Sequence, residues 1–173
     1  STIEDELTLE VLKDPKLLPQ RCRLLRNDGT TNFIDISAGG GKFFQRELVA
    51  RGLACADYNQ DGRMDVAIVL HSGEGTLLRN TSANTGNWLQ VKLEGTASNR
   101  FGIGARIQVT TTANTYTLEC VSSSSYLSSN SLVRHFGLGS AEQADSVIVN
   151  WPSGATSELK NVKLNQQITI QEK

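Results

Sequence analysis

From Arg23 onward, apolar residues recur at every second position in short runs, the period of a strand with one buried face. The run from Trp88 to Glu94 is the clearest, with Leu89, Val91 and Leu93 directed inward. Ala105, Ile107 and Val109 repeat it, with Arg106, Gln108 and Thr110 directed outward. Tyr116, Leu118 and Cys120 follow, then Val147, Val149 and Trp151, then Ile168 and Ile170. Several short strands separated by turns predict a β-sandwich or a small β-barrel over residues 84–173. Trp151-Pro152-Ser153-Gly154 fits a β-turn, with proline second and glycine fourth.

Residues 21–82 also read as β. Leu24 to Gly29 is a strand entering a tight turn, and Asn32 to Ser37 is the next strand. Phe44 to Arg51 is expected to make a helical turn. Apolar strands at Leu53–Ala56 and Val66–Leu70 then flank a polar loop. Leu24-Leu25-Arg26-Asn27 returns as Leu77-Leu78-Arg79-Asn80, and such a repeat suggests propeller blades. Little more than one blade is present, and a ring needs at least about four. The fold class is therefore all-β: a partial, propeller-blade-like segment followed by a sandwich or barrel. The segment is either the tail of a longer protein or a blade remnant docked on the next domain. Residues 1–20 differ. Ile3, Leu7 and Val11 share one helical face, and Pro15 and Pro19 end it, which predicts a short helix or tether.

The polar loop carries the most specific chemistry. In Asp57-Tyr58-Asn59-Gln60-Asp61-Gly62-Arg63-Met64-Asp65, oxygen-bearing side chains alternate, a glycine stands sixth and an aspartate ninth. Calcium takes six to eight oxygens at about 2.3–2.6 Å. Side chains at positions 1, 3 and 5 can converge on one point, and a glycine at 6 permits the sharp turn that aims the next carbonyl inward. Asp57, Asn59, Asp61 and Asp65 are the side-chain candidates, and Arg63 would contribute its carbonyl. The loop is not an EF-hand, because Ile68 stands where the bidentate glutamate belongs and the flanks are strands. The alternative is an Asp/Asn/Gly turn with no metal.

Composition narrows the remaining classes. The net charge is −1, which gives no electrostatic case for nucleic acid or an anionic membrane. No apolar run reaches the roughly 20 residues that span a bilayer. The three cysteines, Cys22, Cys55 and Cys120, contain no C-x-x-C pair, and a Cys22–Cys55 bridge is left open. Gly39-Gly40-Gly41-Lys42 lacks the Ser or Thr of a phosphate loop. His71 and His135 lie in no nucleophile-elbow context, so an enzyme is not expected.

Two resemblances add to this reading. Leu24–Asn80 resembles the FG-GAP/VCBS repeat, in its Asn-Asp-Gly strand end, its Phe-x-Asp strand and its Asp-rich loop before an apolar strand. The resemblance implies a calcium loop between blade strands, carried onto Asp57, Asn59, Asp61, Arg63 (carbonyl) and Asp65. Asn59 departs from the usual aspartate. The C-terminal half resembles the ASPIC/UnbV domain in five stretches that occur in order: 87–95, 99–106, 125–130, 135–139 and 149–154. Ser122 to Ser125 departs from it where glycine is common. Domains of this kind commonly follow FG-GAP/VCBS repeats, as here.

Asn99, Arg100, Tyr126, Ser128, Asn130 and His135, with Arg134 nearby, could line a groove for a polar ligand such as a sugar, and Arg100 and Arg106 could hold an anion. The alternative is that the asparagines satisfy backbone groups. The combined expectation is a non-catalytic, calcium-binding interaction or adhesion module, with calcium structural and a protein or surface glycan as partner. A structural accessory subunit of a larger complex and a carbohydrate-binding module are the alternatives. A weak calcium site fills where calcium is about millimolar, so an extracellular, cell-surface or periplasmic location is expected.

Overall fold

The computed structural model describes residues 19–71, 75–83 and 85–173. The helix or tether expected over residues 1–20 lies almost wholly outside the described residues. The chain divides into two compact units. One holds residues 19–53, 67–71 and 75–76 of those described, and the other holds residues 54–66 and the described residues from 77 onward.

Fourteen strands are assigned among the described residues. Those before residue 80 are β1 (Gln20–Arg21), β2 (Leu25–Asn27), β3 (Phe33–Asp35), β4 (Glu47–Leu48), β5 (Ala50–Ala56), β6 (Asp65–Leu70) and β7 (Thr76–Leu78). β2 and β3 form an antiparallel hairpin with Arg26 opposite Ile34. Its turn is tied by short side-chain acceptors: the Gly29 N–H donates to Asn27 Oδ1 at 2.7 Å and the Thr30 N–H to Asp28 Oδ1 at 2.9 Å. β1 pairs with β4, and β5, β6 and β7 form a three-stranded sheet. The helical turn expected from Phe44 to Arg51 falls earlier, as a 3-10 turn at Lys42–Gln45. Residues 47–48 and 50 onward are strand instead, because they pair in sheets. Of the large apolar side chains described in the first unit, Ile68 alone is buried.

The second unit contains the main core. Its strands are β8 (Asn87–Glu94), β9 (Arg106–Thr110), β10 (Thr115–Glu119), β11 (Arg134–Gly139), β12 (Gln143–Asn150), β13 (Thr156–Lys163) and β14 (Gln166–Gln171). They make a four-stranded sheet, β10-β9-β12-β13, and a three-stranded sheet, β11-β8-β14. β8 is central in the latter, antiparallel to β11 and parallel to β14. Register aligns the apolar faces. Val109 lies opposite Val147, and Ile107 opposite Val149, across β9 and β12. Leu89, Val91, Leu93, Phe136 and Ile170 from the three-stranded sheet join Ile107, Val109, Val147, Val149 and Trp151 in one buried cluster. Each such side chain contributes about 1.5–3 kcal/mol when removed from water. Leu118 is a correction: it lies in β10, an edge strand, and is exposed. Tyr116, in the same strand, is only partly buried, while Cys120 is fully buried.

The turn expected at residues 151–154 is present, with the Gly154 N–H donating to the Trp151 carbonyl at 3.0 Å. Beside it lies Glu172, which is buried near the chain's end. Its carboxylate accepts from the N–H groups of Thr96 and Ser98 and from the hydroxyls of Ser98 and Ser153. One anion thus ties three separate segments of the unit together. All three cysteines are free thiols, so the Cys22–Cys55 bridge left open by the sequence is not formed.

Candidate functional site

The loop from Asp57 to Asp65 belongs to the second unit and is ordered by its own side chains. Asp57 folds the loop around itself. Its Oδ1 accepts from the Asp61 N–H at 3.0 Å and its Oδ2 from the Gly62 N–H at 2.8 Å. That wrapping needs a backbone turn at Gly62, whose φ is +83°. Glycine is required there twice over, because a Cβ would stand 2.0 Å from Trp88 Nε1. Asp65, the first residue of β6, closes the loop. It is 1 % exposed, and its two oxygens accept from the Tyr58 N–H at 3.3 Å and the Asn80 N–H at 2.7 Å.

Asp61 carries the charge pairing. Its Oδ1 accepts from the Arg63 N–H at 3.0 Å, and its Oδ2 accepts from Asn59 Nδ2 at 2.8 Å and from Arg63 Nη2. Arg79 Nη2 is a further 3.5 Å away. Arg63 also donates from Nε to the Asn80 carbonyl at 2.9 Å. Partial burial pushes the Asp61 carboxyl up, but the Asn59 and Arg63 hydrogen bonds and the nearby guanidinium charge outweigh it and hold the group below its ordinary range. Asn59 is the exception to this satisfaction: its Oδ1 is buried and has no donor.

The loop rests on β8 and β11. Gln90 Nε2 donates to Asp57 Oδ2 at 2.7 Å and lies 3.5 Å from His135 Nδ1. His135 stacks on Trp88, with ring centroids 5.9 Å apart and planes 17° apart. Burial lowers the tendency of His135 to protonate, and the Asp57 charge only partly opposes this. Between loop and strands is a cavity of about 150 Å³, lined by Asp57, Gln60, Met64, Gln90, Ser131, Val133, His135 and Gln167.

Of the six residues expected to line a ligand groove, His135 alone lines this cavity. Asn99 serves the backbone instead, accepting from the Ile103 N–H at 2.8 Å and donating to the Ile103 carbonyl at 2.7 Å. Arg100 lies over the Phe101 ring at 5.9 Å. Tyr126 is exposed at a loop tip, and Ser128 donates to its carbonyl at 2.8 Å. Asn130 accepts from the Cys55 N–H at 2.7 Å, fastening the strand that enters the Asp-rich loop. A second cavity, lined by residues of the 111–116 and 138–143 segments, contains none of the six.

The sequence reading missed Gln90, Trp88, Arg79 and Asn80. Alternation assigns Gln90 and Trp88 to the face of β8 opposite the core. Gln90 is nonetheless only 4 % exposed, because the loop covers that face. The period-2 pattern reports which side of a strand faces the main core and is silent about what covers the other side.

Among the described residues, no three His, Cys, Asp or Glu side chains gather as a ready metal cage. The loop does hold one unpartnered oxygen of the kind a hard cation takes. Asn59 Oδ1 is sequestered with no donor, Asp57 and Asp61 stand two residues to either side of it in sequence, and the candidate ligand atoms are all oxygen.

Residues 95–173 match the family described as ASPIC and UnbV. No curated protein matches the chain. This part of the chain is an ASPIC/UnbV-like domain. The match starts directly after β8, yet β8 supplies Leu89, Val91 and Leu93 to the domain's core. The match does not reach residues 24–80, so the FG-GAP/VCBS repeat expected there from the sequence has no support from it. No helix among the described residues is long and apolar enough to cross a membrane.

Proposed function

We propose that the chain is a calcium-supported interaction module, exported or displayed at a cell surface, which binds a protein or glycan partner. The C-terminal strands would form a sandwich or small barrel, and the Asp-rich loop would use calcium structurally. The observation that carries the reading is the Asn59 Oδ1, an acceptor buried without a donor inside an oxygen-rich loop. A buried acceptor without a partner costs about 1–3 kcal/mol, and a bound cation would relieve that cost. Asp57, Asn59, Asp61 and Asp65, with the Arg63 carbonyl, are the residues that would hold it. The ion supplies a fixed positive charge that cross-links the loop, and chemistry on a substrate is no part of the role.

The loop lies on Gln90 and near His135, so ordering it would also order one face of the ASPIC/UnbV-like domain. Thermal unfolding in chelator and in millimolar calcium tests the reading. A site filled at ten times its dissociation constant stabilises by about 1.4 kcal/mol. The melting temperature should rise with calcium, and Asn59→Ala should reduce the rise. Identical melting in both buffers would remove the support for a structural ion.

A second reading, accessory packing within a larger assembly, is favoured by the first unit's apolar surface. Leu25, Phe33, Ile34 and Val69 are 51 %, 63 %, 44 % and 59 % exposed there. Large apolar side chains left exposed in this number are the kind of surface that a protein partner covers.

A further inference from the structure

The three loop carboxylates are satisfied in different ways, and the difference assigns a role to a side chain that the motif leaves idle. Asp57 accepts only from neutral donors: two backbone N–H groups and the Gln90 amide. Asp65 likewise accepts only from backbone N–H groups. Asp61 alone faces full positive charge, from Arg63 Nη2 directly and from Arg79 Nη2 at 3.5 Å. Arg63 is no loose surface cation. Its Nε is anchored on the Asn80 carbonyl, and the Asn80 N–H is in turn held by Asp65. The guanidinium therefore bridges the middle of the loop to the segment after β7, and the pair is largely shielded, with side chains 26 % and 20 % exposed.

Resting on the calcium reading, we propose that Arg63 is the loop's resident counter-ion and competes with calcium for Asp61. With Arg63 engaged, the loop is closed without metal. Calcium binding then becomes an exchange: the Asp61 carboxylate gains the metal and loses the guanidinium, which turns to solvent or keeps only its contact with Asn80. The Arg63 carbonyl can still join the ion, because main chain and side chain of one residue act separately. The exchange lowers calcium affinity, since the metal must first break a charge-assisted pair. It thereby sets the loop to respond at high calcium and to remain folded below it. Arg79, which is more exposed and farther from Asp61, contributes less.

The test is calcium calorimetry on the full chain, wild type against Arg63→Gln, with Arg63→Lys as a variant that keeps the charge. Amide hydrogen exchange in chelator is read at the Gly62 and Asn80 N–H groups. Arg63→Gln should bind calcium about fivefold more tightly, the equivalent of a pair worth about 1 kcal/mol. Its Gly62 and Asn80 amides should exchange faster in chelator and slow again with calcium. Arg63→Lys keeps the charge but loses the Nε anchor on Asn80, so its calcium affinity should fall between those of the wild type and Arg63→Gln. Equal or weaker calcium binding by Arg63→Gln, beside clear binding by the wild type, overturns the competition and leaves the calcium reading standing. Absence of calcium heat in all three proteins overturns both.

Discussion

Gly62 packs closely against the Trp88 ring of β8, so Gly62→Ala tests the junction of loop and strand. Two costs add. The residue sits at φ +83°, where an L side chain meets its own backbone at a cost of about 1–2 kcal/mol. The new methyl would also lie 2.0 Å from Trp88 Nε1 and 2.3 Å from Cε2, far inside contact distance. Forcing a methyl into a filled space costs about 1–3 kcal/mol. The expected loss is therefore about 2–5 kcal/mol. Gly154→Ala separates the two contributions. Gly154 lies in the same unit at φ +92°, with nothing within 4 Å of the added carbon, so only the backbone cost of about 1–2 kcal/mol applies. Urea unfolding followed by tryptophan fluorescence measures both. The indole of Trp88 is the displaced group, so in a Trp151→Phe background, where Trp88 alone emits, native fluorescence should change in Gly62→Ala and not in Gly154→Ala. Equal losses for the two variants, with Trp88 emission unchanged, would refute the packing of the loop on β8.

Two further predictions concern the domain itself. Glu172 is a buried carboxylate whose acidity is set by its partners: burial pushes the group up, but hydrogen bonds from Ser153, Ser98 and Thr96 outweigh it and hold it at about 2, against an ordinary 4.5. A group depressed on folding stabilises fully above its unfolded value and loses that effect as pH falls through its folded value. The difference in melting temperature between the wild type and Glu172→Gln should thus be steady at neutral pH and close between about pH 4.5 and 2, and a gap that widens on acidification would contradict the assignment. Ser157→Ala should cost about 1–3 kcal/mol in urea unfolding, because it strips the buried Trp151 Nε1–H of its acceptor at 2.9 Å; a loss below about 0.5 kcal/mol would mean that the indole finds another partner.

Much of the domain was legible before any coordinates. Leu89, Val91, Leu93, Ile107, Val109, Val147 and Val149 announce themselves by strict alternation, because each lies in a strand with one face in the core. Leu118 follows the same rule and is exposed, since alternation cannot tell an edge strand from a central one. Glu172 gives no signal in sequence: a carboxylate three-way tie depends on turns brought together from residues 96–98 and 153. The Asp-rich loop was legible as a motif, which names oxygens by spacing. The motif treats Arg63 as a backbone carbonyl, whereas its side chain is the principal cation at Asp61. The ligand residues nominated from loops were dispersed because a loop asparagine or serine readily bonds nearby backbone groups, as Asn99 does for Ile103.

The central claim is that the Asp57–Asp65 loop takes one calcium ion. Calorimetric titration of calcium into the chelator-treated chain, with Asp61→Ala alongside, addresses it most directly. The account predicts heat that saturates at about one ion per chain, with weak affinity suited to millimolar calcium, and its loss in Asp61→Ala. Absence of heat in the wild type, or heat of equal size in the variant, would contradict it.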